Sequence, residues 1–259
     1  MNGEYTEYMY SYETLVRFSR PVTRHDIMLR CMPAENSCQH IVEQHLVMHT
    51  AFRTMHDTDA FGNHIIYGGS HDRHDALAYF STGIIRCTDY AVCEQQPPAY
   101  YDFPTPLTAF SPSMSALMPH GQADSMERAI QICHNIHQDI RYVPLSTTMT
   151  TSAAEVMEQR TGVCQDMAHL MIAVCRHCGI KARYANGLLL GTGVTHAWVE
   201  VWNGGVWTAI DPTHDKVVTT GYIKIAHGRD ANDCPVSRGT YIGDSGQQTA
   251  VRVTVVRME

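Results

Sequence analysis

Short alternating runs of β-branched and aromatic residues fill the first ninety positions, whereas apolar stripes at helical spacing begin only beyond residue 120. Period-two alternation sends one strand face into a core and the other to solvent. Strands are therefore expected over residues 10–18, 26–31, 38–48, 52–58, 64–68 and 76–89. The segment Asp-Ala-Phe-Gly-Asn at 59–63 supplies a turn, and the regular strand spacing predicts a β-sandwich. Residues 96–119 hold six prolines and read as a linker or a wrapping segment.

Further along, Ser125 is placed as the cap of a helix that runs to about Ile140, and a short helix covers 152–160. A third helix starts at Cys164: Met167, Leu170, Met171, Val174 and Cys178 fall at helical spacing, and Gly179 serves as its C-cap. Strands follow at 181–190, 195–202, 206–211 and 249–256, with no internal repeat. The expectation is an α+β chain: a β-sandwich domain over residues 1–110, then helices packed on an antiparallel sheet over 111–259.

Composition narrows the partners. A formal charge of −7 argues against a nucleic-acid or anionic-membrane partner. No run of about eighteen apolar residues occurs, so no membrane span is expected. The opening residues MNGEYTEYMYSYE lack the cationic start and apolar stretch of a secretory signal. Nine cysteines, an odd number without framework spacing, fit a reducing cytoplasm.

Three short motifs carry the chemistry. Thr161-Gly-Val reads as a turn, so Cys164 occupies the first turn of its helix, where free N–H groups and the helix dipole favour a thiolate. Polar Gln165 and Asp166 beside it argue against the commoner fate of a core cysteine. His196 and Asp211 lie on two strand-like runs separated by Asn203-Gly204-Gly205. With Asn203-Gly204 as a two-residue turn, Trp202 pairs with Gly205 and His196 lies directly across from Asp211. A Gly204-Gly205 turn moves the partner of His196 to Thr213 but keeps His196 and Asp211 as diagonal neighbours on one face. A three-residue loop without a bulge would put them on opposite faces. Asp211 would then orient the imidazole of His196, whose other nitrogen meets the sulfur of Cys164, giving a thiolate–imidazolium pair able to attack an acyl carbon. The backbone N–H of Cys164 is the first donor to the developing oxyanion. A Gln, Tyr or Trp side chain from the segment before the helix could supply the second, and the sequence singles out none.

The stretches TGVCQDM, THAWVEVW and AIDPTHD, in that order, resemble the core of the transglutaminase-like superfamily, and more narrowly its bacterial transglutaminase-like cysteine peptidase branch. The resemblance covers roughly residues 124–259 and extends to Gly228-Arg229-Asp230 and to 235–239. The N-terminal segment also resembles the β-rich domain that precedes the core in these bacterial proteins. The resemblance implies a papain-like catalytic domain with a Cys164–His196–Asp211 triad, matching the reading of the residues themselves.

Other constellations were weighed against it. Cys175 and Cys178 have redox-motif spacing but close a helix, the wrong end of the dipole for thiolate activation, and read as core. His40, His45, His49 and His56, then His71 and His74, invite a zinc site, yet alternation spreads them over both faces and no recognised ligand spacing joins them. Asp166 serves the first helical turn, and His169 lies on a different face from Cys164. Arg229 and Asp230 could line the cleft or form an ion pair. The expected activity is cysteine-dependent acyl transfer on amides, with peptide or isopeptide hydrolysis ahead of amine transfer, and a catalytically silent binding module as the reading from another class. A peptide or protein substrate is expected, this chemistry requires no cofactor or metal, and Trp198 and Trp202 are expected to wall the groove.

Overall fold

Tyr8, Tyr10, Tyr12, Thr14, Val16 and Phe18 alternate with less buried neighbours and face one interior, so the chain opens as strand β1, Thr6–Leu29. The computed structural model describes residues 5–49, 51–121 and 123–259. Where two strands were expected, the backbone runs through Pro21 as one bent strand. Its register against β5 (introduced below) breaks between Arg17 and Val22, across a proline that has no N–H to donate. β2 (Gln39–Met48), β3 (Arg53–Thr58), β4 (His64–Ser70) and β5 (His74–Cys87) follow close to their expected places, and β6 (Val92–Cys93) is short.

The break in β1 shapes the first sheet. The first half of β1 pairs with β5, and its second half pairs with β4. The expected sandwich is thus one curled sheet whose central strand supplies both layers, since a single strand turned the corner that two would have made.

The remaining elements are α1 (Ser125–Asp139), β7 (Arg141–Tyr142), α2 (Ala153–Gln159), β8 (Thr161–Gly162), α3 (Cys164–His177), β9 (Ala182–Leu189), β10 (Gly191–Gly193), β11 (His196–Asn203), β12 (Val206–Asp211), β13 (Lys216–Val217), β14 (Tyr222–Gly228), β15 (Ser237–Ile242) and β16 (Gln247–Arg257). Asp124, not Ser125, caps α1: its Oδ1 accepts from the N–H groups of Met126 at 2.8 Å and Glu127 at 2.9 Å. The proline-rich stretch wraps: Tyr101, Leu107, Met114 and Leu117 are buried along it.

Among the described residues the second sheet runs β13-β12-β11-β9-β14, with β6 pairing onto β12, while β10, β15 and β16 join the first sheet. Hydrogen bonding therefore crosses the expected division at residue 110 in both directions. β14 and β15 were not expected from the sequence. β14 is buried on both faces, Lys224 included, and β15 is mostly exposed and polar, so neither shows clean alternation.

One face of the second sheet packs on α3 through Tyr184, Leu188, Ala197 and Val199; the other buries Tyr90, Trp198 and Trp207. A buried ionic cluster pins the sheet. Glu200 on β11 is fully buried and accepts from the ammonium of Lys224 at 2.8 Å, from the Tyr90 hydroxyl at 2.6 Å and from Arg183. Burial alone would raise its carboxyl, but Arg183 and Lys224 hold it far below the carboxylate range. Glu200→Gln leaves the buried Lys224 without an anion and Arg183 with Glu94 alone, and is expected to lower stability by about 3–5 kcal/mol, read as a fall in urea midpoint at unchanged slope.

Candidate functional site

Gly179 ends α3 in a left-handed conformation at φ +72°, with its N–H on the Arg176 carbonyl and the Ile180 N–H on that of Cys175. At the other end, Asp166 Oδ2 accepts from the Val163 N–H at 2.8 Å and from the Thr147 hydroxyl at 2.6 Å. These bonds fix the loop that delivers Cys164, half-buried, to the first position of the helix, where its N–H has no intrahelical acceptor.

The hairpin register is the second of the three weighed above: Asn203 pairs with Val206 and Val199 with Ile210, so Gly204-Gly205 is the turn. Both glycines have positive φ, at 55° and 119°. His196 and Asp211 are accordingly same-face diagonal neighbours, and His196 Nε2 lies 2.7 Å from Asp211 Oδ2. Close strand packing holds the histidine's end of the sheet: opposite His196 stands Gly187, where a Cβ would come within 2.0 Å of the Ile223 carbonyl oxygen.

Asp211 is fully buried and its acceptors are full. Oδ2 also takes the Tyr222 hydroxyl at 2.6 Å and His214 Nδ1 at 2.7 Å, while Oδ1 takes the Thr213 N–H at 2.8 Å. Burial opposes its charge, yet the bonds from His196, Tyr222 and His214 hold the carboxyl well below its ordinary range. Burial likewise opposes the imidazolium of His196, but the bond to Asp211 and the contact with Cys164 lift it to about 9. With Nε2 engaged by Asp211, Nδ1 is the nitrogen left for the sulfur.

The sign of the resulting pH dependence follows. A histidine raised to about 9 contributes stability that is complete below its ordinary 6.5 and is lost as pH rises through 9. Asp211 contributes above its ordinary 3.8 and loses that contribution as pH falls. Both describe one interaction, counted once. Between pH 6.5 and 9.5 wild type is expected to lose on the order of 3 kcal/mol that His196→Gln does not lose, measured as the gap between their denaturation midpoints.

Tyr222 and His214 were not singled out from sequence. His214 had a signal, lying three residues past Asp211; Tyr222 had none, since it arrives on the unexpected β14. Tyr142 on β7, exposed at the surface, lines both cavities described below together with Cys164. Trp198 and Trp202 do not wall the groove. Trp198 is fully buried behind His196, its indole N–H on the Tyr90 hydroxyl at 3.1 Å, and Trp202 packs on the same inner cluster.

Cys175 is buried in the core and its thiol is pushed up by burial. His169 is buried, lowered to about 4 by burial, and accepts the Ala231 N–H at 3.1 Å. Arg229 pairs with Asp233 at 2.8 Å rather than with Asp230. The N-terminal histidines form pairs, His25 with His74 and His56 with His64, each at 3.0 Å. Among the described residues the group of three side chains able to converge on a metal is His196, Asp211 and His214, and their mutual hydrogen bonds account for that convergence.

Two cavities meet at Cys164 and His196. The larger, about 520 Å³, reaches from Val163 and Gln165 to the first sheet; the smaller, about 430 Å³, includes Thr213 and His214.

Residues 113–212 match the transglutaminase-like superfamily, and residues 8–86 match the bacterial transglutaminase-like N-terminal region. An uncharacterised protein of Mycobacterium leprae is 37% identical over 127 residues, 45% of each chain. One from Mycobacterium tuberculosis is 37% identical over 145 residues, 49% of this chain and 46% of the relative. The chain thus spans about half the length of the curated relatives it matches. A solved structure from Cytophaga hutchinsonii, provisionally termed a cysteine protease, is similar with a TM-score of 0.82 over 99% of this chain and 92% of that one, at 20% identity; the likeness is one of fold.

Proposed function

We propose, for a chain that carries a transglutaminase-like core behind a bacterial transglutaminase-like N-terminal region, a cysteine-dependent acyl-transfer enzyme acting on amide bonds. Cys164 is its nucleophile, His196 its base and acid, and Asp211 the carboxylate that orients the ring. The observation that carries the reading is His196 held at 2.7 Å by Asp211 on one nitrogen while it lines both cavities together with Cys164.

The sulfur attacks the amide carbon, and the Cys164 N–H steadies the oxyanion. Tyr142, beside Cys164, is the candidate second donor. Collapse breaks the C–N bond, and the amine leaves with a proton from His196. Water, deprotonated by His196, then attacks the thioester, releasing a carboxylic acid and restoring the thiol. A peptide or isopeptide substrate is proposed, with a primary amine replacing water in the transfer variant. The free cysteines support a reducing compartment, and the cytoplasm is proposed; no helix among the described residues is long and apolar enough to cross a membrane.

Amide peptides incubated with and without a primary amine separate these outcomes. New amino termini without amine incorporation are expected. Incorporated amine as the main product would replace hydrolysis with transfer, and neither product with any peptide would favour the silent binding reading.

A further inference from the structure

The larger cavity is walled by the first sheet as much as by the α3 side. Tyr12, Ile27, Leu77 and Tyr79 on β1 and β5, and Thr249 and Val251 on β16, face Cys164 across it. Among the described residues no Asp or Glu lines this cavity, whereas Arg238 does. Burial raises the Tyr79 phenol and keeps the Tyr12 phenol well above its ordinary range, so both hydroxyls stay neutral. Leu145, Met149 and Val194, all exposed, add apolar surface at the rim.

We propose that this cavity is the acyl-side subsite and that the first sheet selects substrates in which the residue donating the acyl group is large and apolar rather than cationic. The proposal rests on the acyl-transfer reading. The smaller cavity, beside His214 and Thr213, lies on the imidazole's side, where a departing amine collects its proton. A lysine side chain entering the larger cavity finds no carboxylate to pair with, and burying an unpaired ammonium is costly.

The test uses acetyl-alanyl chloromethyl ketones that carry Phe, Leu or Lys next to the reactive carbon. Each forms an S–C bond with Cys164 as chloride leaves, and intact mass gives the rate. Relative to iodoacetamide, which carries no side chain, the Phe and Leu probes are expected to label Cys164 at least ten times faster than the Lys probe. Thr249→Glu, an exposed change that adds a carboxylate to the wall, is expected to narrow that ratio at least threefold. Equal rates for Phe and Lys, or an unchanged ratio in Thr249→Glu, overturn the subsite while leaving the reactive cysteine intact. Failure of iodoacetamide to favour Cys164 over the other cysteines would instead defeat the acyl-transfer reading beneath it.

Discussion

Asp211→Asn is expected to lower kcat by about 10³- to 10⁴-fold, the size of loss seen when the carboxylate of a serine triad becomes an amide. The cause is the tautomer. His196 Nε2 now donates to Asp211, leaving the other nitrogen free to accept the thiol proton. An asparagine can turn its NH₂ toward Nε2, which moves the ring hydrogen to Nδ1 and removes the base that faces Cys164. Volume is conserved and the amide oxygen keeps the Thr213 N–H, whereas Tyr222 and His214, which share Oδ2 with His196, would meet the NH₂, so the folding check is part of the experiment. Turnover of a cleaved amide peptide, with near-ultraviolet circular dichroism as the check on folding, decides the matter. A loss below tenfold in a folded variant would remove Asp211 from the mechanism.

His196→Ala is expected to abolish the selective labelling of Cys164 by iodoacetamide at pH 6. A free thiol that ionises near ~8.5 is roughly 0.3% thiolate at that pH. An imidazolium raised to about 9 remains charged there, as the proposed ion pair with the neighbouring sulfur requires. Lower intrinsic nucleophilicity of a stabilised thiolate offsets part of the gain, so wild-type Cys164 should react about 10- to 100-fold faster than in the variant. Peptide mapping of the labelled chain provides the comparison, because the other cysteines are internal standards. Cys93, exposed and remote from the site, is the most useful of them. Labelling of Cys164 at the rate of Cys93 in wild type would end the ion-pair description.

Both results depend on a register the sequence left open among three loops. The structure takes Gly204-Gly205, and glycines adopt positive φ at two consecutive positions without strain. Either two-residue turn keeps His196 and Asp211 on one face, whereas a three-residue loop without a bulge would have separated them. The expected groove wall does not form: Trp198 shares the face of His196, but it lies one pair deeper, under Tyr90, and the alternation rule says which face a residue takes without saying what covers it.

The places of β2 to β5, the start of α3 at Cys164 and the hairpin that carries His196 and Asp211 were set by local pattern: period-two alternation, a turn before an apolar stripe, and glycines between two β-branched runs. Those signals act over a few residues, and a sequence states them directly. The bend of β1 at Pro21, the return of β15 and β16 to the first sheet, and the arrival of Tyr222 and of the β1–β5 wall at the cleft were decided by contacts across the whole chain. Such pairings rest on which buried faces fit together once the strands exist, and no local spacing records them.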